Sequence, residues 1–195
     1  MTIIAYRAGI LAADTAAWRG DYVSGSVRKI CRMPDGGLGA AAGSVTIMRW
    51  FLNWLESGGA SEARGTPPAD PDGHGFGGLV VRPNGDLFGC DLNVMMYPIK
   101  AEWFALGRSS GFTAGCLAAG ASAEEAVKLT LKWTDAGRGH VDVEYLDPAR
   151  VGTKAEASLP EGWPPGISRS QGRAKAWAEY ERLRKDPTAI LAVEG

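Results

Sequence analysis

Three polar side chains near the start of the chain sit where apolar neighbours make them conspicuous. Thr2 heads the run "TIIAYR", Asp14 ends "ILAAD", and Lys29 lies inside "SVRKICRM". A hydroxyl is a weak nucleophile until a base removes its proton. A carboxylate and an ammonium beside it would set the charge it works in. Each residue also has a plain reading. Thr after Met favours efficient Met removal, Asp14 suits a turn or strand end, and Lys29 suits an edge strand guarded against aggregation.

Other motif matches carry less. His74 and His140 stand far apart, and Cys31, Cys90 and Cys116 form an odd, widely spaced set. Neither a zinc site nor a Ser-His-Asp triad follows, and the cysteines read as small apolar residues in a reducing compartment. "GHGFGG" (Gly73 to Gly78) matches G-x-G-x-x-G literally. However, a polar loop precedes it and a strand follows, the reverse of what a dinucleotide site needs. "SVRK" (Ser26 to Lys29) matches S-x-x-K, but in a strand its Ser and Lys would face opposite sides.

The chain has 195 residues and a formal charge of −1 with both signs interspersed. That length suits one domain, or one domain with an appendage. The absence of a basic face argues against a nucleic-acid or membrane-surface role. No apolar run reaches the length of a membrane span, and the N-terminus lacks the parts of a signal peptide. A cytoplasmic protein is expected.

"TIIAYR" and "ILAAD" read as strands joined at Ala8-Gly9, and "SVRKICRM" and "LGAAAG" as two more joined at Asp35-Gly36-Gly37. Four strands are therefore expected in the first 43 residues. "SVTIMRWFLNWLES" reads as a helix with two apolar stripes, one through Ile47, Trp50, Phe51 and Trp54 and one through Met48, Phe51, Leu52 and Leu55. So apolar a helix is either sandwiched within the domain or shared with another subunit. "FGGLVVRPNGDLFGCD" predicts a hairpin at Asn84-Gly85, and "YPIKAEWFALG" one further strand. "SSGFTAGCLAAG" and "SAEEAVKLTLKW" predict helices, the second opened by a Ser122/Glu125 capping box. "HVDVEYL" closes the core, and a Pro/Gly-rich connector leads to a charged helix over 168–186 with its own Ser168/Gln171 box. This order is α+β: two antiparallel sheets face to face, with helices on both outer faces.

"AAD" with Asp14, "VRKI" with Lys29, and "AAAGS" before a long helix follow Thr2 in a specific order. Together with "ALGRSSGFTAGCLAAGASAEEAV" and "DAGRGHVDVEYL", they resemble the proteasome β-subunit superfamily, in particular its HslV-like and bacterial proteasome-like members. The likeness covers about residues 2–146, leaving 147–195 as a C-terminal connector and helical extension. It implies the four-layer αββα fold of N-terminal nucleophile hydrolases and a threonine peptidase that needs no cofactor or metal. Thr2 would be the nucleophile after Met1 removal. Its own α-amine, with an ordinary pKa of about 7.7–8, would be the base. Lys29 would favour the alkoxide, Asp14 would hold Lys29, and the Gly43 N–H would face the oxyanion.

The pattern breaks at two places. Where the family carries serines that position the amine, this chain has Arg108 in "GRSSG" and Arg138 in "DAGRG", while Asp135 matches the accompanying Asp. Two guanidiniums there would depress the amine's pKa but remove hydroxyl partners. Ser109 or Ser110 could substitute after a one-residue shift. Alternatively, both arginines point away and pair with Asp135 or a neighbouring subunit.

The resemblance further implies a substrate pocket walled by Ala17, Val27, Cys31, Ala41 and Val45, hence a preference for an apolar residue before the scissile bond. The expected substrate is a peptide or unfolded protein, and the expected assembly a homo-oligomeric ring or related form. The helices at 44–56 and 168–186 are the candidate contact surfaces. An ATP-driven partner follows by analogy only. Two rival readings are a catalytically silent ring-forming protein and an amidase of the same chemistry acting on a small amide.

Overall fold

The computed structural model describes residues 1–59, 65–70, 73, 75–93 and 95–150. His74, the helix expected over 168–186 and all but the first four residues of the 147–195 extension lie outside them. The apolar runs form the strands Ile3–Arg7 (β1) and Ile10–Asp14 (β2), buried almost throughout and joined by a tight turn in which Ala8 and Gly9 both take positive φ. Six strands, not four, occupy the first 43 residues. Ala16–Arg19 (β3) and Tyr22–Ser26 (β4) form a separate two-stranded ribbon, followed by Ile30–Arg32 (β5) and Leu38–Gly43 (β6). The segment expected to be one strand, 26–33, is divided because the chain leaves the ribbon at Ser26 and joins a different sheet at Ile30. Lys29 falls just before β5, its carbonyl accepting the Ala41 N–H at 3.0 Å.

Phe76–Val81 (β7) and Leu87–Cys90 (β8) form the expected hairpin, with Gly85 in positive φ at its turn. "YPIKAEWFALG" contributes to two strands where one was expected. Met96–Ile99 (β9) ends one sheet and Trp103–Gly107 (β10) the other. With Val141–Tyr145 (β11), the sheets run β10-β1-β2-β11 and β5-β6-β7-β8-β9, and all pairings are antiparallel.

Three α-helices occur among the described residues: Val45–Glu56 (α1), Ser110–Ala118 (α2) and Ala123–Trp133 (α3). The capping box at α3 is formed, Ser122 Oγ accepting the Glu125 N–H and the Glu125 carboxylate accepting the Ser122 N–H, each at 3.2 Å. Ile4, Tyr6, Leu11 and Ala13 from one sheet pack on Leu38, Ala40, Leu79 and Val81 from the other. Helix α1 covers the far side of the five-stranded sheet through Met48, Phe51, Leu52 and Leu55. Helices α2 and α3 cover the far side of the four-stranded sheet, where Leu117, Ala123, Ala126 and Val127 meet Ile3, Ala5, Ile10 and Ala12. Small residues on both sides of that contact let α3 lie close to β1 and β2.

Both stripes of α1 are therefore consumed by the chain's own packing. Ile47, Met48, Phe51, Leu52, Trp54 and Leu55 are all buried, and among the stripe residues only Trp50 keeps partial exposure. Of the two alternatives for this helix, burial within the chain is the one observed. At the rim, Arg32 of β5 reaches across to β11, donating to Glu144 at 3.1 Å and to the Tyr145 carbonyl. Phe51 is fully buried, with its ring 5.1 Å from Phe76 and 5.7 Å from Trp54. Phe51→Ala should cost about 3–5 kcal/mol through lost burial and the cavity left behind, read as a lower urea midpoint at unchanged slope.

Candidate active site

The antiparallel register decides which of the singled-out residues meet. Thr2 immediately precedes β1, and β1 runs beside the end of β2, where Asp14 sits opposite Val141 of β11. Asp14 is fully buried, and its Oδ1 accepts the Ile3 N–H at 2.8 Å. The same oxygen takes the Lys29 ammonium at 2.8 Å, in an ion pair whose side chains are 1% and 0% exposed. Lys29 Nζ also donates to the Met1 carbonyl at 3.2 Å, so the ammonium touches the peptide unit that joins Met1 to Thr2. Thr2 is buried, and its hydroxyl makes no hydrogen bond to protein among the described residues.

Burial pulls the Lys29 ammonium below the ordinary lysine range, while the charge and hydrogen bond of Asp14 oppose the shift. The Met1 α-amine is likewise lowered, first by burial and then by the Lys29 charge. Asp14 opposes this and Arg108 adds to it. In this structure the Thr2 nitrogen is an amide, because Met1 is attached. Asp14 Oδ2 is buried with no partner.

The opposite wall comes from β10 and the turn into α2. The Arg108 N–H donates to the Thr2 carbonyl at 2.8 Å. Gly107 precedes it at φ +103°, and a Cβ there would lie 2.1 Å from the Thr2 oxygen, so no other residue allows so close an approach. Ser109 also takes positive φ, 60°, as the N-cap of α2, and its side chain makes no capping bond. The "DAGRG" segment closes over Asp14: a Cβ built on Gly137 would meet Asp14 Cγ at 3.3 Å and Ile3 Cδ1 at 2.7 Å. The backbone contacts of Gly107 and Gly137 were missed as site features in the sequence. A glycine at the end of an apolar strand and another inside "DAGRG" were the available signals.

Not all the singled-out residues join this cluster. Asp135 is exposed and pairs with neither arginine. Arg138 is also exposed and donates to the Gly137 carbonyl at 3.1 Å. Gly43 ends β6 at φ +119°, its backbone pressed against Gly75, whose oxygen would be 2.2 Å from an added Cβ. Among the expected pocket residues, Ala17 on β3 and Val45 at the start of α1 are partly exposed, whereas Val27 is buried. Cys31 and Ala41 are sealed beneath α1, and burial pushes the Cys31 thiol up to about 12, which leaves it inert. Ala17 and Val45 are thus open to solvent in part, and Cys31 and Ala41 are not. Among the described residues no three His, Cys, Asp or Glu side chains gather to hold a metal ion, and no helix is long and apolar enough to cross a membrane.

Removing one member of a buried ion pair strands the other's charge. Lys29→Met should therefore cost about 3–5 kcal/mol, and the double variant Asp14→Leu/Lys29→Met clearly less than the sum of the two single changes. Urea denaturation of the four chains in a double-mutant cycle checks this.

No family model matches this chain, and no curated protein does. Among solved structures, the crystal structure of eukaryotic HslV from Trypanosoma brucei superposes with a TM-score of 0.50 at 19% identity, covering 74% of this chain and 98% of that one. In fold, the chain is similar to HslV.

Proposed function

We propose that this chain is an N-terminal threonine hydrolase acting on amide bonds, with a proteasome-like peptidase as the leading form of that activity. The observation that carries the reading is the buried Asp14–Lys29 pair, with its ammonium 3.2 Å from the Met1 carbonyl. A desolvated cation held at the peptide unit before Thr2 would favour the ionised form of a nearby hydroxyl, a role that an edge-strand lysine facing solvent does not have. The likeness in fold to HslV and the helix-covered sheet pair support the four-layer αββα architecture of N-terminal nucleophile hydrolases over residues 1–146.

Cleavage of the Met1–Thr2 bond would free an α-amine on the residue that carries the hydroxyl. That amine takes the Thr2 Oγ proton as Oγ attacks the substrate carbonyl, and Lys29 stabilises the charge on Oγ. The family resemblance assigns the oxyanion to the Gly43 N–H, which stands apart from the Asp14–Lys29 pair. The tetrahedral species collapses by breaking the C–N bond, the amine returns its proton to the leaving nitrogen, and water hydrolyses the resulting ester. Ser109, whose hydroxyl is unused by its helix, is the candidate partner for the amine. Ala17 and Val45, the partly exposed pair of the expected pocket, favour a short apolar residue before the scissile bond. The reading carries with it a homo-oligomeric assembly and a cytoplasmic location.

The rival reading, a silent assembly protein, draws on exposed Asp135 and Arg138, which stand apart from the pair. Intact mass spectrometry before and after a peptide epoxyketone separates the two. The expected result is a chain lacking Met1 that gains one adduct, and a Thr2→Ala chain that gains none; retention of Met1 throughout, or a processed chain that never labels, overturns the hydrolase reading. The reacting base must be unprotonated, and burial and Lys29 lower the pKa of the Met1 α-amine one residue away. The labelling rate should therefore rise with pH through a midpoint below the ordinary α-amine value of about 7.7–8, as a rate–pH profile would record.

A further inference from the structure

The hydrolase reading leaves one charged group at the site without a role. Arg108 is anchored there by its backbone, through the 2.8 Å bond from its N–H to the Thr2 carbonyl, and by the close approach of Gly107 to the same oxygen. Its side chain is exposed and forms no ion pair among the described residues. Helix α2, which begins two residues later, has no acidic residue in its first turn to neutralise it. Lys29 is engaged with Asp14, and Arg138, which stands apart from that pair, gives one N–H to the Gly137 carbonyl. Arg108 is the cation whose backbone is held at Thr2 itself.

Its position relative to the reaction follows from the chemistry. The Thr2 amine delivers its proton to the departing nitrogen, so the leaving group must lie beside that amine. The Thr2 nitrogen and carbonyl belong to one residue, and Arg108 is bonded to the carbonyl. Its charge already bears on the α-amine one residue earlier. A guanidinium close enough to act on that amine would meet the leaving-group side of the scissile bond.

Resting on the hydrolase reading, we propose that Arg108 is a specificity-determining residue that receives a carboxylate on the leaving-group side of the substrate. The favoured amides are those that release a free amino acid or a short peptide ending in its own α-carboxylate. A planar guanidinium matches a carboxylate through paired N–H donors, which a carboxamide cannot accept with equal strength. An exposed pair of this kind gives a modest gain, roughly twofold to fivefold, that shrinks as salt is added.

The test uses N-acetyl-alanyl-alanine and its C-terminal carboxamide on the full chain with Met1 removed. Binding is measured by titration on Thr2→Ala, which keeps a small residue after Met1, and hydrolysis is followed on the unsubstituted chain. The free acid should bind Thr2→Ala and turn over roughly twofold to fivefold better than the amide. Adding Arg108→Gln should erase the difference, Arg108→Lys should keep part of it, and added salt should reduce it. Equal affinity for the two ligands, undetectable affinity for both, or a preference that survives Arg108→Gln overturns the proposal. None of these touches the hydrolase reading, which stands or falls on epoxyketone labelling at Thr2. Conversely, an unlabelled, inert chain whose Thr2→Ala form still prefers the acid through Arg108 sinks the hydrolase and leaves the carboxylate site.

Discussion

The site depends on one carboxylate oxygen that does two jobs. Asp14 Oδ1 accepts the Ile3 N–H and the Lys29 ammonium at 2.8 Å each, in a place closed to water. Burying two charges costs several kcal/mol per ion before their attraction offsets it, and only good geometry with further hydrogen bonds makes the arrangement tolerable. Asp14 sits at the end of β2 and Lys29 just before β5, so the pair ties the two sheets together at the edge where β1 begins. Its second oxygen has no partner, so the pair is not fully compensated. An apolar replacement would hold the sheets as well. A charged pair at such cost is better understood by what its ammonium reaches, the peptide unit at Thr2.

The rest of the fold serves to bring backbone close to that point. Ala5, Ala12, Ala123 and Ala126 let helix α3 settle near the strands that carry Asp14 and Ile3. Gly137 lies over the Asp14 carboxyl, and Gly107 lies against the Thr2 carbonyl, each in space that a Cβ would occupy. Arg32 at the other end of β5 makes a second bridge between sheets through Glu144 and the Tyr145 carbonyl. With β5 held at both ends, the position of Lys29 follows from the sandwich and not from the flexibility of its own side chain.

Electrostatics at the site favour a neutral amine. Lys29 and Arg108 both lower an amine at the chain's start, with burial the leading cause and Asp14 the opposing charge. Arg108 thus lowers the proton affinity of that amine while its own side chain stays exposed.

Much of this was legible in the residues. The apolar runs at 2–7 and 10–14, the Asn84-Gly85 turn, the paired stripes of α1 and the Ser122/Glu125 box are local patterns, and local patterns specify strands, turns and helices through propensity and hydrogen bonding alone. Thr2, Asp14 and Lys29 stood out because polar groups in apolar runs are costly unless paired. Which groups they meet was not written locally. Nothing in "YPIKAEWFALG" distinguishes a strand on one sheet edge from two strands on different sheets, and nothing in "SVRKICRM" marks where the chain changes sheets. Composition could not separate Asp135 and Arg138, which are exposed, from Asp14, which is sealed, nor Cys31 beneath α1 from Ala17 at the surface. The sequence by itself determined the helices, most of the strands and the candidate polar residues. Only the tertiary structure decided that Lys29 faces inward, that Asp14 receives it, and that the backbone of Arg108 grips Thr2. The physical reason is that burial and pairing belong to contacts between segments far apart in the chain, and register and sheet packing create those contacts.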